Sequence, residues 1–244
     1  MLLPVIVSQY DLSQVLASRL RMPVLVDPIP LEFTPENLAR WAKFCLMPMF
    51  LPDVEITEDM DIPGWTKPKK WFYDQIRGGK ISADSAKLSH GWYLADITHG
   101  ADYTYGTQVF PSDWLSPIIA RLREQGKIGK YNNIPMGSRF AITNDEWRNV
   151  VCPAIAEALG FRPEQVRLER AIEFNAIGNL YDPNRGKYNM WEWFEDIFGG
   201  FQPALRWMSR GRRLFGVGNF STKGGVLHID GEIGYHTGAT TGSR

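Results

Sequence analysis

Cysteine is scarce in this chain, and an excess of charge of either sign is absent. Of 244 residues only two, Cys45 and Cys152, are cysteines, and each lies within an apolar helical pattern. Both are therefore predicted to be buried free thiols rather than members of a disulfide or a metal site. Lys plus Arg and Asp plus Glu each number 27, so no general attraction for polyanions is expected and nucleic acid is not the predicted partner.

Long hydrophobic runs and internal repeats are also missing. The opening residues 1–7 are apolar but follow no basic segment, and Gln9, Tyr10 and Asp11 interrupt them, so no signal peptide is predicted. No other stretch approaches the roughly 18 apolar residues of a membrane helix, and membrane insertion is not expected. The chain is predicted to be soluble and unprocessed, which leaves its compartment open.

The first 130 residues predict a mixed, helix-containing region whose role the sequence does not indicate. One helix is predicted to start with Thr34 as N-cap, Pro35 and Glu36. Its apolar face is predicted from the spacing of Leu38, Trp41, Cys45 and Leu46. The acidic run over 53–61 is interpreted as a solvated connection, since a metal site would need tighter carboxylate spacing.

Aromatic residues are frequent over 71–105, where lysines precede them. A surface that stacks single-stranded nucleic acid is one interpretation, but with balanced charge we predict a packed aromatic subcore. An acid–base pair of His90 and His99 near Asp96 and Asp102 is another hypothesis. Because no nucleophile pattern accompanies these histidines, structural hydrogen bonding is the preferred interpretation.

Three more helices and one strand are predicted between residues 112 and 178. Ser112 is expected to cap a helix that ends near Gly126, and residues 138–142 have a strand pattern. Thr143 and Glu146 form a capping box for a helix that runs to Gly160 and is kinked by Pro153. A further helix is predicted over 169–177, with Gly178 as its stop.

The composition changes at Gly211. From Gly211 to the last residue there are nine glycines and no proline, which favours short strands and turns. Within this tail Leu227, Ile229 and Ile233 alternate with polar neighbours, the period of a strand with one buried and one exposed face.

Several segments, taken in order, resemble the formylglycine-generating (sulfatase-modifying factor) branch of the C-type lectin fold. Residues 140–147 resemble its early strand-to-helix segment, 167–174 its RLPTEAEWE segment, and 189–196 its GNVWEWVSD segment. Residues 213–216 are similar to its RVLRGGSW strand, and 242–244 stand where members carry GFR. The resemblance implies an α+β chain: a C-type lectin fold of two helices and short, twisted antiparallel strands over 131–244, after an N-terminal region over 1–130.

The tail lacks the pair of cysteines that holds copper in the enzymes of this family. The resemblance therefore implies a non-catalytic protein without cofactor or metal. Residues 213–244 resemble the variable region of the target proteins of diversity-generating retroelements, which occur in phages, bacteria and archaeal viruses. By this resemblance the ligand is a protein or cell-surface macromolecule, bound by Phe220, Thr222, Lys223, His228, Asp230, Glu232, Tyr235, His236, Thr237, Thr240 and Thr241.

An enzymatic alternative remains for the same tail. His228, Asp230 and Glu232 fall on one face of a strand, and with His236 they could hold zinc or iron. The alternative function is thus a metal-dependent enzyme related to formylglycine-generating oxidases. Gly216 and Gly218 do not extend to the G-x-G-x-x-G pattern of a dinucleotide site, and turn glycines are the preferred interpretation.

Overall fold

The computed structural model describes residues 9–68, 70–98, 109–182 and 194–196, together with the backbone of four short strands between residues 205 and 228. Its helices are α1 (Gln9–Leu20), α2 (Pro35–Ala42), α3 (Lys70–Arg77), α4 (Ser116–Glu124), α5 (Asn144–Glu146), α6 (Cys152–Leu159) and α7 (Ala171–Leu180). A π-helical segment, Trp147–Val151, joins α5 to α6. Short 3₁₀ turns lie at Ala83–Ala86 and Pro163–Gln165.

The strands form antiparallel pairs. Strand β1 (Leu46–Leu51) pairs with β2 (Gly91–Asp96), with Leu46 opposite Asp96 and Leu51 opposite Gly91. Further along the chain, β3 (Leu205–Met208) pairs with β4 (Arg213–Val217), and β5 (Asn219–Phe220) pairs with β6 (Leu227–His228). The described chain is therefore a mixed α+β protein with small antiparallel sheets, as predicted at that level.

Two hydrophobic clusters make up the described core. The first joins α1, β1, α3 and α7, and includes Leu16, Phe50, Phe72 and Ile172. The second joins α2, α4 and α6, with Trp41 and Ile119 among its buried members. Each cluster contains residues from both sides of position 130. The division at 130 remains a prediction, but the described residues on its two sides share their cores.

Helix α2 confirms the predicted start but not the predicted length. The Thr34 hydroxyl accepts a hydrogen bond from the Asn37 amide at 3.2 Å, and Pro35 begins the helix. The helix ends at Ala42, and Cys45 has a left-handed φ of 52°. The prediction that the apolar helical face continues through Cys45 and Leu46 was wrong. Leu46 begins β1, whose pairing with β2 replaces helical hydrogen bonds.

The two cysteines have different environments. Both are free thiols; Cys152 is buried and Cys45 is half-buried. Burial raises the pKa of the Cys152 thiol to about 11, so it is protonated at neutral pH. The prediction of a buried thiol is confirmed for Cys152 and only in part for Cys45.

The start of α4 differs from the predicted one. Ser112 has a φ of 53° and lies before the helix, which begins at Ser116. The side chain that turns the chain here is Asp113, whose Oδ1 accepts a hydrogen bond from the Leu115 amide at 2.9 Å. The end agrees closely with the sequence, since the helix stops at Glu124 and Gly126 has a φ of 68°.

The predicted strand over 138–142 was wrong. Its carbonyls face inward to a buried arginine instead of to a neighbouring strand, since Ser138 and Phe140 accept hydrogen bonds from the Arg123 guanidinium at 2.8 and 2.7 Å. Ala141 also has a φ of 58°, which a regular strand does not permit.

The next helical region begins and ends as predicted. The Thr143 hydroxyl accepts from the Glu146 amide at 3.1 Å and the Glu146 carboxylate accepts from the Thr143 amide at 2.7 Å, which confirms the capping box. Gly160 ends α6 with a φ of 74°. A π-helical segment, Trp147–Val151, lies before α6, and the kink predicted at Pro153 itself stays a prediction.

Helix α7 is displaced from its prediction. It covers Ala171–Leu180, so Gly178 lies inside the helix and does not stop it. The end is fixed by tertiary contacts: Leu180 is buried, and the Tyr181 hydroxyl donates to the Phe50 carbonyl of β1 at 2.5 Å. Burial raises the pKa of Tyr181 well above its usual range, so the hydroxyl stays a donor.

Candidate functional site

Most of the predicted ligand-binding residues lie outside the described part of the chain. Phe220 and His228 belong to β5 and β6, whose backbone is described. The other nine lie outside the described residues: Thr222, Lys223, Asp230, Glu232, Tyr235, His236, Thr237, Thr240 and Thr241. The candidate binding surface therefore stays a prediction.

The backbone register of β5 and β6 adds one constraint. Phe220 is opposite Leu227, and Asn219 is opposite His228. Directly opposed positions in an antiparallel pair lie on one face of the ladder, and the face alternates along each strand. Positions 220 and 228 thus lie on opposite faces in this register. The predicted alternation from Leu227 to Ile233 extends beyond the described residues.

Residues 194–196, the clip, are anchored to the N-terminal end of α7. Phe194 is buried and its ring lies 5.5 Å from that of Phe174 in an edge-to-face arrangement. The Glu195 amide donates to the Glu169 carbonyl at 2.9 Å. The Asp196 carboxylate accepts from the Ala171 amide, the first of α7, at 2.7 Å.

The clip also contacts the π-helical segment. Arg148 donates to the Glu195 carboxylate at 2.5 Å, with both side chains about one-third exposed. A π-helical segment is frequently associated with a functional position in a helix, and here it presents Arg148 to the clip. The clip is thus held from two helices at once.

A buried carboxylate organises the N-terminal end of α7. The Arg167 guanidinium donates to both oxygens of Glu173, at 2.8 and 2.9 Å, and the same carboxylate accepts from the Arg170 amide at 2.8 Å. Burial raises the pKa of Glu173, but the charge and hydrogen bonds of Arg167 outweigh it and lower the pKa overall. Arg167 also lies over the Tyr93 ring at 5.2 Å.

Asp196 has the opposite electrostatic balance. It is 6% exposed, and burial raises its pKa by more than the Ala171 amide and the charge of Arg170 lower it. A carboxylate at a helix N-terminus is usually stabilised in its charged form. Here the loss of hydration has the larger effect, because Asp196 is buried.

The hypothetical acid–base pair is not assembled among the described residues. The His90 imidazole lies 2.9 Å from the Asp27 carboxylate and edge-on to Phe50, while His99 and Asp102 lie outside the described residues. Asp96 instead pairs with Arg139 at 2.7 Å. These contacts agree with the structural hydrogen bonding preferred for His90.

Arg139 is the centre of a partly buried ion cluster that the sequence did not indicate. It pairs with Asp96 at 2.7 Å and with Asp113 at 2.6 Å, and its guanidinium lies 4.5 Å above the Phe110 ring. Burial raises the pKa of Asp96, but the charge of Arg139 and hydrogen bonds from Thr98 lower it overall. These partners are 43 and 26 residues from Arg139 in the chain, so no local pattern could reveal them.

Two further hypotheses concern the aromatic subcore and a metal site. The predicted aromatic subcore is confirmed where it is described: Trp71, Phe72, Tyr73, Trp92 and Tyr93 all pack in or against the first cluster. Within the described residues no group of three metal-ligating side chains occurs. The side chains of the four tail residues of the metal hypothesis lie outside the described part of the chain, so that hypothesis stays a prediction.

Comparison with known proteins gives no relative. No family model matches the sequence, and no curated protein or solved structure is significantly similar to it. In the described part of the chain, no helix has the length and apolar character needed to cross a bilayer.

Proposed function

We propose that the chain is a non-catalytic ligand-binding protein with a C-type lectin fold, which presents residues 213–244 to a protein or cell-surface macromolecule. The proposal starts from the order of the resembling segments and from the absence of cysteine in the tail. No cofactor is part of the proposal, and affinity would come from a few aromatic anchors such as Phe220 and Tyr235.

The observation that carries the proposal is the clip. Three segments that resemble the family are neighbours here: residues 140–147 lead into the π segment that holds Arg148, residues 167–174 build the N-terminal end of α7, and residues 194–196 bind to both. A variable surface needs a rigid base so that changes in its side chains do not unfold the chain. The clip supplies a fixed starting point for the tail.

The short antiparallel pairs β3–β4 and β5–β6 also suit the proposal. Strands of two to five residues with an irregularity between Arg206 and Trp207 are typical of a twisted, loop-rich ligand-binding end. In the proposal, turns between the short strands present the ligand-binding surface. Substitutions in these turns would not interrupt a continuous hydrophobic face.

A saturation substitution scan of residues 213–244, read out as resistance to proteolysis, tests the proposal. We expect polar substitutions at Leu227, Ile229 and Ile233 to lower stability by about 2 kcal/mol or more, since they would lose buried apolar area. Substitutions at the predicted ligand-binding positions other than Phe220, which shares a face with Leu227 in the β5–β6 register, should stay within about 0.5 kcal/mol of the parent. Buried positions of α7 provide the control for sensitivity.

The scan overturns the proposal if His228, Asp230 and Glu232 are as intolerant as the aliphatic positions. A second test is genomic. A near-duplicate of the codons for 213–244 beside a reverse-transcriptase gene, differing mainly at adenines, would support a diversified surface.

Metal analysis of the purified chain separates the enzymatic alternative. Stoichiometric copper, iron or zinc that is lost in a His228→Ala, His236→Ala double variant would favour a metal-dependent enzyme and overturn the proposal. We expect no stoichiometric metal, with His90→Ala as the control for histidine loss outside the tail.

A further inference from the structure

We infer that a cleft between the C-terminal ends of α1 and α7 binds a small carboxylate with a planar apolar part. This inference uses only described residues and does not depend on the proposed function. The cleft has a volume of about 250 Å³, and among its lining residues are Ser18, Arg19, Arg21, Gly64, Trp65 and Asn179.

The charge of the cleft favours an anion. Two lining residues are arginines, and none of the described residues that line the cleft is acidic. Arg19 donates to the Leu180 carbonyl at the end of α7, so part of its charge offsets the negative end of that helix dipole. No hydrogen bond or ion pair joins Arg21 to another described residue, and its planar fork can meet both oxygens of a carboxylate.

Arg21 is also held in an unusual backbone conformation. Its φ of 54° lies in the left-handed region that non-glycine residues rarely adopt. The chain on both sides of it is held, because the Ser13 hydroxyl of α1 donates to the Val24 carbonyl, three residues after Arg21. Arg21 is exposed, and a sparsely populated backbone conformation that holds a cationic side chain without a partner among the described residues at a cleft is a feature that ligand sites often have.

The cleft is also lined by a rigid aromatic side chain, Trp65. The Trp65 indole N–H donates to the Asn175 side chain at 2.9 Å, and the next residue is held by Asn179, whose Oδ1 accepts from the Thr66 amide at 2.9 Å. Asn175 and Asn179 lie one turn apart on α7, and Asn175 is fully buried. The half-buried indole therefore has a fixed plane, which suits stacking by a ring.

The free space sets the size of the ligand. Gly64, an exposed lining residue, has a φ of 75° and nothing within 4 Å of where a Cβ would stand, so the cleft is open at this point. A volume of about 250 Å³ is slightly below the range of drug-sized pockets, and one ring with a carboxylate fits this scale. Arg21 would take the carboxylate and Trp65 the ring.

Titration with benzoate, followed by NMR at the indole N–H signal of Trp65, tests this assignment. The signal is identified by its loss in Trp65→Phe. We expect a saturable shift with millimolar affinity, and at least a fivefold weaker affinity in Arg21→Gln. Arg121→Gln is the matched control, because Arg121 is an exposed arginine on α4 whose side chain has no hydrogen bond or ion pair with another described residue.

Neutral and inorganic probes complete the experiment. Benzamide should give no saturable shift, because it lacks the negative charge, and inorganic phosphate should bind at least fivefold more weakly than benzoate. The inference is overturned if benzoate causes no shift, if Arg21→Gln binds it unchanged, or if phosphate binds as tightly as benzoate. Preserved dispersion of the remaining signals shows that each variant is folded.

Discussion

Arg123 shows how one side chain can replace a strand partner. It is 1% exposed, and its guanidinium donates to the carbonyls of Gly129, Pro135, Met136, Ser138 and Phe140 at 2.7 to 3.1 Å. Burial lowers the pKa of Arg123, opposed by the charge of Glu146. The loop over 129–140 is irregular, yet these carbonyls are satisfied, and the arginine determines its path.

Replacement of Arg123 by Met is expected to destabilise the chain by about 3–5 kcal/mol. Methionine has a similar length but no donor, so several buried carbonyls would lose their partner. Urea unfolding followed by circular dichroism measures the effect. Arg121→Gln, two residues earlier and exposed, should change stability by less than about 0.5 kcal/mol. A loss of unfolding free energy below about 1 kcal/mol in Arg123→Met would show that water donates hydrogen bonds to the carbonyls instead.

At the scale of elements, α7 depends on partners from distant segments. It has no side-chain N-cap of its own, and its first amides are satisfied by Glu173 and by Asp196 of the clip. Arg170, at the N-cap position, also donates to the carbonyls of Lys87 and Asp84 next to the 3₁₀ turn. The helix therefore connects the N-terminal half of the core to the clip.

Asp196 is predicted to make the chain less stable as the pH rises. Its pKa is higher in the folded state than its ordinary value of 3.8, so the folded state binds more protons between the two values. Stability must fall as the pH rises through that interval and level off above it. Urea unfolding from pH 4 to pH 8 measures this fall.

Asp196→Asn should remove that part of the pH dependence and be at least as stable as the parent at pH 7. The amide oxygen still accepts from the Ala171 amide, and no charge is buried. Asp196→Ala leaves the amide unsatisfied and should cost about 1–3 kcal/mol. Equal destabilisation by both substitutions at pH 7 would contradict the prediction.

At the scale of the whole molecule, the two hydrophobic clusters join the halves of the sequence. Phe50 and Ile172 share the first cluster, and Trp41 and Val151 share the second. The described buried residues of both clusters all precede residue 197. The first 130 residues therefore contribute to both described clusters, and strand β4 of the tail lies against α3, an element of the first cluster.

Residues 131–244 expressed alone are expected not to unfold cooperatively, because the first cluster would lose most of its described buried members and the second about half. Residues 1–196 should retain a cooperative transition, since they contain every described buried member of both clusters. Thermal unfolding followed by near-ultraviolet circular dichroism compares the two fragments. A cooperative transition in 131–244 alone would instead support an independent C-terminal domain.

Local patterns predicted the features whose cause is local. The Thr34 cap, the Thr143–Glu146 capping box and the glycine ends of α4 and α6 depend on residues within four positions of one another. Predictions were wrong where a partner distant in the sequence determines the local structure. Residues 138–142 have a strand pattern but bond to Arg123, and Gly178 is kept helical by the packing of Leu180 and Tyr181.

The amino-acid sequence by itself determined the α+β character, the starts of two helices and the aromatic subcore, because hydrophobic period and capping are short-range effects. Only the tertiary structure decided that both halves share two cores, that the clip closes the N-terminal end of α7, and that Arg19, Arg21 and Trp65 line one cleft. These features join residues from about 20 to more than 150 positions apart, and packing selects such pairs only when the whole chain has folded.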